Sequence, residues 1–236
     1  MDIVLIPGLW LDASSWRAVT PALERAGHTP HPLTMPGVGE PAPASGDIGI
    51  ADWVAATVSE IDRIDGPVVL VGHSGGGNVA YGAADARPER VQHIVFLDTF
   101  PPGDGGSIWE FPAVDGVVPF PGWSFFDASD TADLADDLRA AIGAGAQTVP
   151  VRVPTDPIRL TDERRRSVPA TMITSTVPEA QIRAHIAQAP AWAAELAALE
   201  NLNIVQIVPD GEPTGHWPQF SRPGAVAAAI VEAIAR

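Results

Sequence analysis

Val68-Val69-Leu70-Val71-Gly72-His73-Ser74-Gly75-Gly76-Gly77 is the stretch that decides the fold. A β-branched apolar run leads into Gly-x-Ser-x-Gly, and a sequence suited to a helix, Asn78 to Ala86, follows at once. The pattern predicts a strand, a very tight turn and a helix, with Ser74 at the apex. A serine there is held in a strained backbone conformation, so its neighbours must be nearly without side chains; Gly72 and Gly76 meet that need. The strain lifts the hydroxyl clear of the sheet and turns it toward a substrate. Glycine-rich strand-to-helix turns also cradle phosphates or dinucleotides on a helix N-terminus. The companions of that use are missing, since no Gly-Lys-Ser/Thr and no lysine of any kind occurs in the chain. Asp98, about twenty residues further on, is the acid that could imitate a ribose ligand.

A nucleophilic serine needs a base, and the C-terminal region supplies a candidate. Asn203 to Val208 reads as a buried strand, followed by Pro209-Asp210-Gly211-Glu212-Pro213-Thr214-Gly215-His216-Trp217-Pro218. His216 therefore sits on a loop between the last strand and a final helix, Pro223 to Ala235. Parallel strands bring their C-terminal ends to one edge, where Ser74 also lies. An imidazole there can take the serine proton and return it to the leaving group. His73 abuts the nucleophile, but successive strand side chains point to opposite faces, so it reads as packing or turn support. His28, His31, His93 and His185 read as structural or surface residues.

With these residues in view the chain resembles a small α/β-hydrolase, of the branch that includes compact plant-type esterases, hydroxynitrile lyases and short bacterial esterases. Leu5-Ile6-Pro7-Gly8-Leu9-Trp10 with Ser15-Trp16, Met35-Pro36-Gly37-Val38-Gly39, Gly72-His73-Ser74-Gly75-Gly76, and Thr214-Gly215-His216-Trp217-Pro218 with Arg222-Pro223 carry the resemblance. They span nearly the whole chain in the family's order. Such motifs specify the fold far more than the reaction.

The residues read by themselves support the same α/β architecture. A chain of 236 residues has room for one sizeable core, taken as a single domain over 1–236. Apolar runs alternate with helical patterns: Ile3 to Ile6 then Ser14 to Arg25, Ile50 to Ile64 then Val68 to Val71. Ile94 to Leu97, Ala170 to Thr174, Ala191 to Leu199 and Ile204 to Val208 continue the series. Alternation of this kind predicts a mostly parallel central sheet flanked by helices on both faces. The chain opens almost directly on a strand, as if the leading strands of larger relatives were trimmed. One region, 99–168, interrupts the alternation between two late strands. It is rich in proline, glycine and aromatics, with a helical acidic stretch from Thr131 to Ile142. Segments this long are lids or binding elements, and the resemblance places a cap here, over the serine. Most of its aromatics are expected to pack the cap. Trp109, Trp123 and Phe126, with Trp10 and Trp217, are the candidates for contact with substrate.

Composition excludes other classes. A net charge of −15 argues against nucleic acid, whose backbone demands basic surface. Arg164-Arg165-Arg166 reads as a solvated face or as salt-bridge partners. No segment is long and apolar enough to span a bilayer and no signal peptide opens the chain, so a cytoplasmic protein without a membrane partner is expected. The absence of cysteine removes disulfides, thiolate metal sites and a thiol nucleophile. No metal-ligand spacing such as His-Glu-x-x-His occurs, and no cofactor or metal is expected. The expected partner is a small-molecule ester; a homodimer is left open.

The expected chemistry is acyl transfer from Ser74 with His216 as base. Charge on the carbonyl oxygen needs preorganised donors, each worth roughly 100- to 1,000-fold in rate. Gly75 N–H, at the start of its helix, is one candidate, and Leu9 N–H, after the first strand, is the other. The family often carries His-Gly at that loop, whereas this chain has Pro7-Gly8. In the resembled family the third member, a carboxylate, usually follows the strand Ala170 to Thr174. Here Ser175-Thr176-Val177-Pro178-Glu179 contains no aspartate. Asp98, at the end of the preceding strand, is taken as the acid, with Glu179 as the alternative and Asp210 behind it. The expected function is a serine carboxylic-ester hydrolase for a small, largely apolar ester or lactone. A cofactor-independent dioxygenase, a lyase on the same triad and a slow-turnover ligand binder are the rivals. The lyase is weakened because the resembled plant-type enzymes use a cap lysine.

Overall fold

The computed structural model describes residues 1–188 and 190–235. Its strands are β1 (Asp2–Ile6), β2 (Thr29–Pro32), β3 (Val68–His73), β4 (Val91–Leu97), β5 (Val117–Val118), β6 (Val149–Pro150), β7 (Ala170–Thr174) and β8 (Leu202–Gln206). The α-helices are α1 (Thr20–Arg25), α2 (Ala42–Ser45), α3 (Ile50–Arg63), α4 (Gly75–Ala86), α5 (Ala128–Thr131), α6 (Asp136–Gly145), α7 (Glu179–Gln188), α8 (Ala194–Ala198), α9 (Pro218–Ser221) and α10 (Pro223–Ile234). Six strands form a wholly parallel sheet in the order β2-β1-β3-β4-β7-β8, while β5 and β6 make a small antiparallel ribbon.

Side-chain alternation along these strands builds two cores. Val4, Ile6, Val68, Leu70, Ile94 and Phe96 point to one face, where α3 and α4 supply Trp53, Ile61, Val79 and Tyr81. Ile3, Leu5, Val69, Val71, Val95 and Leu97 point to the other and meet Leu23 of α1 and Val226 and Ile230 of α10. Burial on both faces explains why the central strands read as continuous apolar runs rather than alternating ones.

Several boundaries differ from the sequence reading. Ser14 to Arg25 is a 3-10 turn, Ala13–Trp16, followed by the separate α1, in which Pro21 occupies the first turn, where its missing N–H costs nothing. Ala191 to Leu199 is likewise divided, into a 3-10 turn and α8. β2, Thr-Pro-His-Pro, gives no strand signal in sequence; it is an edge strand, the one place in a sheet where prolines are tolerated. The helix expected from Thr131 to Ile142 is divided: Thr131 closes α5 and bridges to Gly215, and α6 begins only at Asp136.

The strand order reverses between β1 and β3: the chain leaves β1 for β2 on one side, then returns to β3 on the other. Loops at such a switch point diverge and leave a crevice at the C-terminal edge of the sheet. Segment 99–168, between β4 and β7, lies beside it and carries the β5–β6 ribbon, α5 and α6.

Candidate active site

Ser74 stands between β3 and α4 with φ 52° and ψ −127°, a conformation that L residues rarely adopt. The glycines around it have steric causes. A Cβ on Gly72 would lie 2.4 Å from Gly76 O, and one on Gly76 would lie 2.5 Å from Pro7 O. Those obstacles are backbone atoms, which cannot step aside. Trp10 (φ 64°) and Asp98 (φ 49°) are also left-handed, so three of the four such non-glycine residues among those described meet at one place. Strain of about 1–3 kcal/mol per residue persists only where the surroundings over-determine it.

The Ser74 hydroxyl donates to His216 Nε2 at 2.9 Å, and His216 Nδ1–H donates to Asp98 Oδ2 at 2.7 Å. Asp98 Oδ1 accepts the Ser175 and Thr176 amides at 2.8 and 2.9 Å, and the Thr176 hydroxyl bonds both oxygens. Burial pushes the Asp98 carboxyl up, but the hydrogen bond and charge of His216, with the two amides, hold it below the usual carboxylate range. Glu179 lies elsewhere: it opens α7 and pairs with Arg183 one turn on. Asp210 accepts from Gln206.

His73 lies beneath. Its Nε2–H donates to His216 O at 2.7 Å, and Gln219 donates to its Nδ1 at 3.1 Å. Burial, helped by the nearby His216, pushes its pKa down to about 3, so it is a neutral strut under the His216 loop. That loop is gripped from above by segment 129–133. His216 N–H donates to Asp130 O at 2.7 Å, Asp133 N–H to Thr214 O at 3.1 Å, and the Thr214 hydroxyl to Ser129 O at 2.7 Å.

Over Ser74 opens a cavity of about 680 Å³, lined by Leu9, Gly75 and His216 together with aromatics. Leu9 and Gly75 are adjacent, since a Cβ on Gly75 would meet Leu9 Cγ at 3.3 Å. Leu9 N–H makes no backbone hydrogen bond among the described residues, and Gly75, the first residue of α4, has no carbonyl four residues back within its helix. Of the sequence candidates for substrate contact, Trp10, Trp109, Phe126 and Trp217 line the cavity. Trp123 does not. Its indole N–H donates to Arg139 O, and its ring packs edge-on against Trp217 at 5.1 Å, in a separate small core with Leu134 and Ile142. Phe111 and Phe125, which sequence reading left among the aromatics expected to pack the cap, line the cavity too, and sequence reading missed Ile108, Asp130 and, from outside the 99–168 segment, Trp192. Among the described residues no group of three or more His, Cys, Asp or Glu is placed to hold a metal ion, and no helix is long and apolar enough to cross a membrane.

A serine on a strained elbow at the switch point of a parallel sheet, with a histidine behind it, defines the α/β-hydrolase class. The chain belongs to the alpha/beta hydrolase family, whose model matches residues 3–229. It is similar to a carbendazim-hydrolyzing esterase of Nocardioides, 34% identical over 110 residues, which is 45% of either chain. It is also similar to Methylesterase 8 of Arabidopsis thaliana, 32% identical over 102 residues, covering 42% of this chain and 38% of the relative. The chain thus spans less than half the length of the curated relatives it matches. An extracellular alpha/beta-hydrolase from a Paenibacillus species shares the fold over 99% of this chain and 98% of its own, with a TM-score of 0.76 at 20% identity.

Proposed function

We propose that this protein is a serine carboxylic-ester hydrolase working through an acyl-enzyme on Ser74, with a largely apolar ester or lactone as substrate. The observation that carries the reading is the unbroken chain Ser74–His216–Asp98 directly beneath an aromatic-lined cavity. Esterase names among the relatives support the same reaction class.

In this reading Ser74 Oγ attacks the acyl carbon while His216 Nε2 takes its proton. Asp98, anionic and fixed by two amides, keeps the Nδ1–H tautomer and stabilises the imidazolium. The developing oxyanion is received by Leu9 and Gly75 N–H, the latter at the positive end of α4. His216 then protonates the leaving alkoxide, water enters, and the same steps in reverse free the acid and Ser74. Segment 99–168 acts as a cap, with its aromatics excluding water from the reacting centre.

The test is hydrolysis of p-nitrophenyl acetate, butyrate and octanoate by wild type and Ser74→Ala. Multiple turnovers that vanish in the variant are expected, and the chain-length profile reports the depth of the acyl pocket. A single burst without turnover, or no reaction, sinks the reading in favour of a ligand binder or a non-hydrolytic enzyme.

A further inference from the structure

The cavity holds one charged group that the acyl-transfer scheme does not use. Asp130, half-buried at the end of α5, lines it beside His216. Its backbone carbonyl holds the His216 amide, and its carboxylate takes a hydrogen bond from the Asp127 backbone N–H but no cationic side chain. No arginine pairs with it among the described residues: Arg139, the closest in sequence, spends its guanidinium on the Leu134 and Thr131 carbonyls. The groups acting on it are His216, Asp98 and Asp127, while burial pushes its carboxyl above the usual range. No arginine lines the cavity, and the chain has no lysine. Eight of the chain's fourteen Phe and Trp residues do line it. Three of these, Trp109, Phe125 and Trp192, are solvent-exposed.

An anion left without a counter-charge in an aromatic chamber is an arrangement suited to a cation. Ring faces attract cations through their quadrupole, and the attraction grows as the site is desolvated. A protein with net charge −15 also concentrates cations at its surface. We propose that Asp130 and the surrounding rings make this a cation-accepting site, selecting esters that carry a quaternary or protonated ammonium group near the scissile bond. The proposal deepens the ester-hydrolase reading and rests on it for the reaction, but not for the binding. Asp130 is a specificity residue in it, and Asp98 and His216 keep their roles. The same negative charge disfavours the acid product and so speeds its exit.

The experiment uses an isosteric pair, acetylcholine and 3,3-dimethylbutyl acetate, which differ by N⁺ against C. We expect the charged-to-neutral ratio of kcat/KM to fall roughly tenfold in Asp130→Asn and to be largely kept in Asp130→Glu. A ratio unchanged in Asp130→Asn, or equal losses on both esters, overturns the proposal while leaving ester hydrolysis standing. Binding is read separately by calorimetry with phenyltrimethylammonium on Ser74→Ala and on Ser74→Ala/Asp130→Asn. Binding that the second substitution weakens about tenfold supports the cation site even if no ester is turned over, in which case the hydrolase reading alone fails. Binding that is absent, or indifferent to Asp130, overturns it.

Discussion

Asp98 Oδ2 lies 2.7 Å from His216 Nδ1, although the two residues are separated by 118 positions in sequence, and Asp98 is itself left-handed at φ 49°. At the end of β4 the carboxylate is also fixed by the Ser175 and Thr176 amides, which follow β7. Asparagine tolerates the left-handed conformation, so Asp98→Asn keeps the fold and removes the charge. We expect kcat to fall on the order of 10,000-fold, while Glu179→Gln stays close to wild type. Steady-state kinetics on p-nitrophenyl acetate decide it, and the reverse pattern would move the acid to Glu179.

Gly215 is where segment 129–133 presses on the His216 loop. A Cβ there would fall on the Asp133 carboxylate, which is buried and accepts from Ser221 Oγ at 2.6 Å. Gly215→Ala must therefore shift either segment 129–133 or His216. Misplacement by about 1 Å can cost roughly 100-fold, and a loss of that size in kcat is expected with folding retained by circular dichroism. Unchanged kcat would mean that the two segments give way without moving His216.

Two glycines respond oppositely to the same substitution. Gly76→Ala drives a methyl into the Ile6 and Pro7 carbonyls at 2.6 and 2.5 Å, and backbone at the sheet edge has no room to yield. Severe destabilisation or failure to fold is expected. Gly224, the second residue of α10, has nothing within 4 Å of its would-be Cβ. Gly224→Ala is expected to gain about 0.5–1 kcal/mol, the entropy cost of helical glycine. Urea melts of both variants read the difference.

Two buried histidines contribute to the loss of stability in acid. Burial holds His73 down at about 3 and His93 at about 4, against 6.5 unperturbed. Between those values and 6.5 the unfolded chain binds protons that the folded chain does not. Stability therefore rises with pH across this window and is lost on acidification, by up to about 2.7 kcal/mol per pH unit for two such groups. His93 bonds Thr171 away from His216, so His93→Gln should lower the slope of unfolding free energy between pH 4.5 and 6 by up to about 1.4 kcal/mol per pH unit. An unaltered slope would show that His93 is protonated in the folded chain.

Much of this molecule was legible because its signals are local. Two-sided burial makes β3 and β4 continuous apolar runs, and the Gly-x-Ser-x-Gly turn needs its glycines within four residues of one another. Elements that exist only through partners were not legible. β2 pairs along β1 despite its prolines, Thr131 ends α5 with a bridge to Gly215, and Trp123 turns away from the cavity to bond Arg139. Arg164-Arg165-Arg166 looked uniform, yet Arg165 is buried between Asp85 and Glu195 while Arg164 remains exposed.

The sequence by itself determined the parallel α/β architecture, the elbow serine and the loop histidine, since each rests on periodicity, steric exclusion or chain order. Only the tertiary structure decided which carboxylate reaches His216 and which aromatics line the cavity. It also placed Asp130 beside them without a counter-charge. Those outcomes depend on distances between segments far apart in the chain, and no local pattern encodes such distances.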